Sequence, residues 1–112
     1  MRTLNDYFIP IGNVDLGGSG DTSDIVTCPD GGRVVGVSFN TTEAIDVAGS
    51  CDVKVNGSAS TADVDFAATA INTGGIALAD SELYIADHDA VQLVSKDEPE
   101  TGIVDCTLII RR

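Results

Sequence analysis

The sequence predicts an all-β protein: an antiparallel β-sandwich of jelly-roll type, with about seven or eight short strands. Three observations predict it. Apolar residues recur at every second position in several segments, the period of a half-buried strand. Clusters of Gly, Asn, Asp and Pro interrupt those segments at short intervals. The only helical candidates, residues 41–48 and 77–83, are too short and too weakly amphipathic to stand as helices.

The opening segment brings Leu4, Tyr7, Phe8, Ile9 and Ile11 into eight residues. Tyr7, Ile9 and Ile11 alternate, and Phe8 points the other way. This reads as a first strand paired into the sandwich, or as an arm that adds to a neighbouring subunit or shell protein by β-augmentation. Residues 17–23 (GGSGDTS) form a flexible loop without a hydrophobic anchor. They are no phosphate cradle, because Asp21 and Thr22 stand where a P-loop needs Lys and Ser or Thr.

Asp24 to Cys28 is a short strand, stopped by the turn cluster of residues 29–32 (PDGG). In residues 33–40, Val35, Val37 and Phe39 share one face. Cys51, Val53 and Val55 alternate with Asp52 and Lys54 and run into Asn56-Gly57, a dipeptide suited to a tight hairpin. Val64 and Phe66 continue on the return strand. Residues 72–75 (NTGG) break the chain, and residues 96–102 form an acidic turn. Strands at 82–86 and 90–94 flank Asp87-His88-Asp89. The last strand gathers Val104, Cys106, Leu108 and Ile110 on one face and leaves Ile103 and Ile109 on the other. Strand order is not legible in this pattern.

At 112 residues the chain reads as a single domain, 1–112, that buries roughly 65% of its unfolded surface. Six basic residues against 18 acids give a net charge of −12, which repels phosphate backbones and disfavours direct nucleic-acid binding. No apolar stretch approaches the ~20 residues of a membrane-spanning helix. Arg2, Arg111 and Arg112 supply half the positive charge. They read as solvated terminal arginines, with electrostatic docking as the alternative. Cys28, Cys51 and Cys106 lack a paired spacing, and no secretory leader pattern opens the chain. Buried thiols in a reducing cytoplasm are expected, with a disulfide between one unspecified pair as the alternative.

Chemistry is sparse. His88, the one histidine, lies in an acidic turn with no nucleophile motif beside it, so it reads as a solvated turn residue and no enzyme is expected. Acid pairs occur at Asp63/Asp65, Asp87/Asp89 and Glu98/Glu100. Asp63 and Asp65 share a strand face and are weak calcium candidates, since two carboxylates fill only part of a calcium shell. The outward surface of an acidic protein accounts for all three pairs. No cofactor is expected.

The opening residues 2–10 (RTLNDYFIP), the hairpin at 55–57 (VNG) and the ending at 107–112 (TLIIRR) resemble small capsid decoration (cement) proteins of tailed bacteriophages. The chain departs from them in its stronger acidity, its Asp87-His88-Asp89 step and its acidic turn near Pro99. The resemblance implies a non-enzymatic protein on the outer surface of the virion, assembled in the host cytoplasm. It would bridge major capsid subunits as a homotrimer and stabilise the head against DNA pressure. The contact residues so implied are Arg2, Leu4, Tyr7, Phe8, Ile9, Ile11, Arg111 and Arg112. The alternative is a virion-surface carbohydrate-binding or host-recognition β-sandwich module, against which the few aromatics and the absence of Trp count.

Overall fold

A computed structural model describes residues 6–17, 20–96 and 102–112. Among these the chain forms nine strands and no helix. They are β1 (Asp6–Asp15), β2 (Val26–Thr27), β3 (Gly32–Glu43), β4 (Gly49–Val55), β5 (Ser58–Phe66), β6 (Gly74–Leu78), β7 (Tyr84–Ile85), β8 (Ala90–Ser95) and β9 (Ile103–Arg111). A five-stranded sheet has the order β1-β9-β3-β6, with β7 also pairing β3, and a four-stranded sheet has the order β2-β8-β4-β5. Every named pairing is antiparallel. The expected all-β sandwich is what forms, with strands to spare.

The core lies between the sheets and follows the period of two. Val104, Cys106, Leu108 and Ile110 of β9 face Val53 and Cys51 of β4, Val64 and Phe66 of β5, and Val91 and Leu93 of β8, all buried in one cluster. Phe39 meets Phe66 edge-to-face at 5.0 Å, tying β3 of one sheet to β5 of the other. The Asn56-Gly57 turn is as expected: φ is 52° and 84°, and Val55 pairs Ser58 across it.

Among the described residues, register shifts reset the alternation at four places, and two of them move core residues. The register of β1 against β9 shifts between Pro10 and Gly12, so Ile11 is followed inward by Val14. In β3 one shift lies between Val34 and Gly36 and another between Thr41 and Glu43. Val34 therefore takes the core place expected for Val35, which is only half-buried.

Three further expectations change. Residues 74–78, where the sequence offers only the end of a chain break and the start of a discounted helical candidate, form β6, because glycines let its backbone come unusually close to β3. A Cβ at Gly36 would lie 2.2 Å from the Ala77 carbonyl oxygen, and one at Gly74 2.3 Å from that of Phe39. The described end of the glycine-rich loop is anchored by its backbone. Gly20 N–H donates to Ser95 O, Ser23 N–H donates to Leu93 O, and Thr22 bridges Val94. Asp87 and Asp89 are turn builders as well as surface acids. Asp87 accepts from Gly31 N–H, and Asp89 accepts from Ala86 N–H and the Asn56 amide.

Candidate functional site: the outward face of the five-stranded sheet

The residues of β9, β3 and β6 that the core does not use form a grid on the solvent side of the larger sheet. Asp105 pairs Asn40, which pairs Gly74; Thr107 pairs Ser38, which pairs Ile76. Since alternate side chains share a face, Asp105, Thr107, Ser38, Asn40 and Ile76 all point outward. They line a shallow depression of about 440 Å³, floored on one side by Gly74 and Gly75 and by the edge of Phe39. The depression offers a carboxylate, an amide and two hydroxyls on the adjacent strands β9 and β3, with Ile76 of β6 as an apolar wall.

The next row of the same face is apolar. Phe8 pairs Ile109, Ile109 pairs Gly36, and Gly36 pairs Leu78, which crosses four strands. Phe8, Ile76, Leu78 and Tyr84 keep 60%, 64%, 63% and 68% of their surface exposed. Beyond that row lie Arg33, paired with Tyr84 and with Arg111, and Asp6, paired with Arg111.

Of the contact residues suggested by the chain ends, Arg2 and Leu4 lie outside the described residues. Tyr7, Ile9 and Ile11 face inward. Ile11 is fully buried, the other two pack against the core, and the Tyr7 hydroxyl donates to the Asp30 carbonyl. Only Phe8 of that group presents its side chain to solvent. The terminal arginines are held in ion pairs and are not simply solvated. Arg111 grips Asp6 through Nε at 2.9 Å and Nη2 at 3.1 Å, and Arg112 Nη1 meets Asp30 at 2.7 Å. The hydrogen bond from Arg111 holds the Asp6 carboxyl below the ordinary carboxylate range.

Asp63 and Asp65 lie on β5, on the other sheet. Asp63 already has a cation, the Lys96 ammonium at 2.5 Å, with Asp52 opposite it on β4 and 3.7 Å from the same nitrogen. Among the described residues no group of three or more His, Cys, Asp or Glu side chains is arranged to hold a metal. His88 is exposed, with φ of 66°, and its N–H donates to Cys28 O. The three thiols are buried and unpaired with one another. Burial pushes Cys51 well up and Cys106 up to about 12, so neither is a thiolate near neutrality.

The grid escaped sequence reasoning for a stated reason. Ser38, Asn40, Asp105 and Thr107 sit on strands that were legible, at the positions opposite the core. Ile76 and Gly74 sit on β6, which was not, and the order β9-β3-β6 joins them.

No protein-family model matches the chain, and no curated protein matches it. Solved structures do. It is similar to a family 35 carbohydrate binding module from Clostridium thermocellum, with TM-score 0.63 and 13% identity over 96% of this chain and 98% of that one. It is also similar to the CBM36-1 domain of a multidomain xylanase from the hindgut metagenome of Trinervitermes trinervoides, with TM-score 0.58 and 10% identity over 96% and 97%. A third likeness is to a Paenibacillus sp. cycloisomaltooligosaccharide glucanotransferase, with TM-score 0.63 and 10% identity; 95% of this chain spans 18% of that enzyme. At these identities the likeness establishes the β-sandwich fold. It is compatible with a chain that is not an enzyme.

Proposed function

We propose that this protein is a non-catalytic β-sandwich module that binds neutral carbohydrate on the outward face of its five-stranded sheet. The observation that carries the reading is the grid of Asn40, Asp105, Ser38 and Thr107 beside Ile76. A sugar ring presents vicinal hydroxyls that donate and accept, together with an apolar C–H face. An amide that both donates and accepts, a carboxylate that accepts, two hydroxyls and an aliphatic wall match that chemistry. The resemblance in fold to carbohydrate-binding modules supports it. With a net charge of −12 and Asp105 in the site, anionic sugars are disfavoured. Among the described residues the only aromatic lining the depression is the buried Phe39, seen by its edge, so affinity should be weak, on the order of 0.1–1 mM. Calorimetric titration with a panel of neutral oligosaccharides tests it. The expected result is saturable binding by the wild type and at least tenfold loss in Asn40→Ala and Asp105→Ala with the fold intact. Binding that is absent across the panel, or that ignores both substitutions, overturns it.

One observation favours a second reading, the capsid decoration role implied by the chain ends. β1 and β9 pair along their length, so the two described termini meet on one face with Phe8 outward and Arg111 and Arg112 nearby. In that role the same face would lie on the major capsid protein at the outer virion surface. Loss of shell occupancy in Phe8→Ala combined with Leu78→Ala would support it, and unchanged occupancy with an intact fold would remove it.

A further inference from the structure

We infer that the apolar half of the same face is a self-association surface, occupied by a second copy of this chain. The inference rests on neither reading of the ligand, because it is built on the Phe8–Leu78–Tyr84 side of the face, which shares only Ile76 with the polar depression.

The first argument is area. Four side chains on one sheet face, Phe8, Ile76, Leu78 and Tyr84, each leave about two thirds of their surface in water. Together they expose roughly 500 Å², at the upper end of the largest apolar patch on an ordinary monomer. With the adjoining Pro10 and the half-buried Arg33 the face extends toward the roughly 800 Å² per partner of a standard interface. A sheet face is also stiff, so little ordering opposes association there.

The second argument is charge, and it selects the occupant. The molecule carries −12, yet at this end of the face two acids, Asp6 and Glu82, stand with two bases, Arg111 and Arg33. Asp6 is held by Arg111, Arg33 stands in the same row and pairs Tyr84, and the Tyr84 hydroxyl donates to Glu82. Two of the six basic residues of the chain therefore serve this end of one face. Two copies meeting through most other surfaces would oppose carboxylates; meeting here, they bring nearly neutral apolar surfaces together. A basic partner would be drawn to the acidic body instead. The like-charged partner this face suits is the chain itself.

The same reasoning fixes the sign of the salt dependence. The contact is apolar and locally neutral while the two bodies repel at long range, so screening should strengthen association. An interface built on ion pairs between copies would weaken instead.

Sedimentation velocity over a dilution series, at low and at roughly 0.5 M salt, tests this on the full chain. The expected result is a reversible species larger than one subunit, favoured by salt. Phe8→Lys and Leu78→Lys should each weaken it at least tenfold, with circular dichroism confirming the fold. Val47→Lys, an exposed apolar residue in the connection between β3 and β4, is the control and should leave association unchanged. A monomer at every concentration and salt overturns the inference, whether the face is idle or takes a different protein. So does association that Val47→Lys weakens as much as the face substitutions do.

Discussion

Lys96 stands between two carboxylates that face each other across β4 and β5, Asp52 and Asp63. Its hydrogen bond pulls the Asp63 carboxyl below the ordinary range, whereas burial and the neighbouring Asp63 raise Asp52. The depressed Asp63 contributes stability above its unfolded pKa, and that contribution is lost as pH falls through the folded value. Asp52 acts in the opposite sense, resisting charge as pH rises through its raised value. Lys96→Met leaves the two acids unscreened near neutrality. Because the ammonium is substantially exposed, the expected loss is about 1 kcal/mol or less at pH 7. It should shrink toward pH ~2, with protonation reaching the lowered Asp63 carboxyl last. Urea denaturation at the two pH values measures this, and equal losses at both would contradict it. At Cys51 and Cys106, burial keeps the thiols protonated. Alkylation of the folded protein at pH ~8 should leave both unlabelled while the urea-unfolded chain labels fully. Rapid native labelling of either would show that the core opens far more readily than its packing implies.

Among the elements, β6 had the least legible sequence, and the candidate site depends on it. Its Gly74-Gly75 opening carries the composition of a loop, and Ile76, Ala77 and Leu78 alone are too short to declare a strand. What makes it a strand is tertiary: β3 offers an open edge, and glycine at positions 36 and 74 lets the two backbones meet. Gly36→Ala should therefore strip β6 from β3, costing about 2 kcal/mol or more. Chemical denaturation measures the cost, and hydrogen exchange should show it concentrated at Ile76 to Leu78; a neutral substitution would mean that the edge is not tightly built. By contrast β4, β5, β8 and β9 were legible because each buries one face and nothing else competes with the period of two. The Asn56-Gly57 turn was legible because its backbone demands residues that tolerate positive φ. Bulges were not, since a single extra residue leaves no compositional mark; hence Val34 and not Val35 in the core. Phe39 and Phe66 form the main aromatic contact between the sheets. Phe66→Ala should cost about 3–5 kcal/mol, a large share of the stability of a domain this size.

At the scale of the whole molecule, function follows from what the core leaves outside. The smaller sheet and the loops carry most of the acids, and the larger sheet presents a polar depression beside an apolar shelf where the charge is cancelled. Composition announced the acidity but could not show where it stops, because Asp6 and Arg111 lie 105 residues apart and meet only when β1 pairs β9. The chain ends attracted attention for their apolar and basic residues. Folding turns most of that arm inward and moves the candidate site to Ser38, Asn40, Asp105 and Thr107. The measurement that tests this account most directly is a titration of isotope-labelled protein with neutral oligosaccharides, followed amide by amide in NMR spectra. The account predicts saturable shifts concentrated at residues 38–40, 74–76 and 105–107, with the β4–β5 hairpin unmoved. Shifts centred on the smaller sheet or the Asp87-His88-Asp89 turn, or no saturable shift with any sugar, would contradict it.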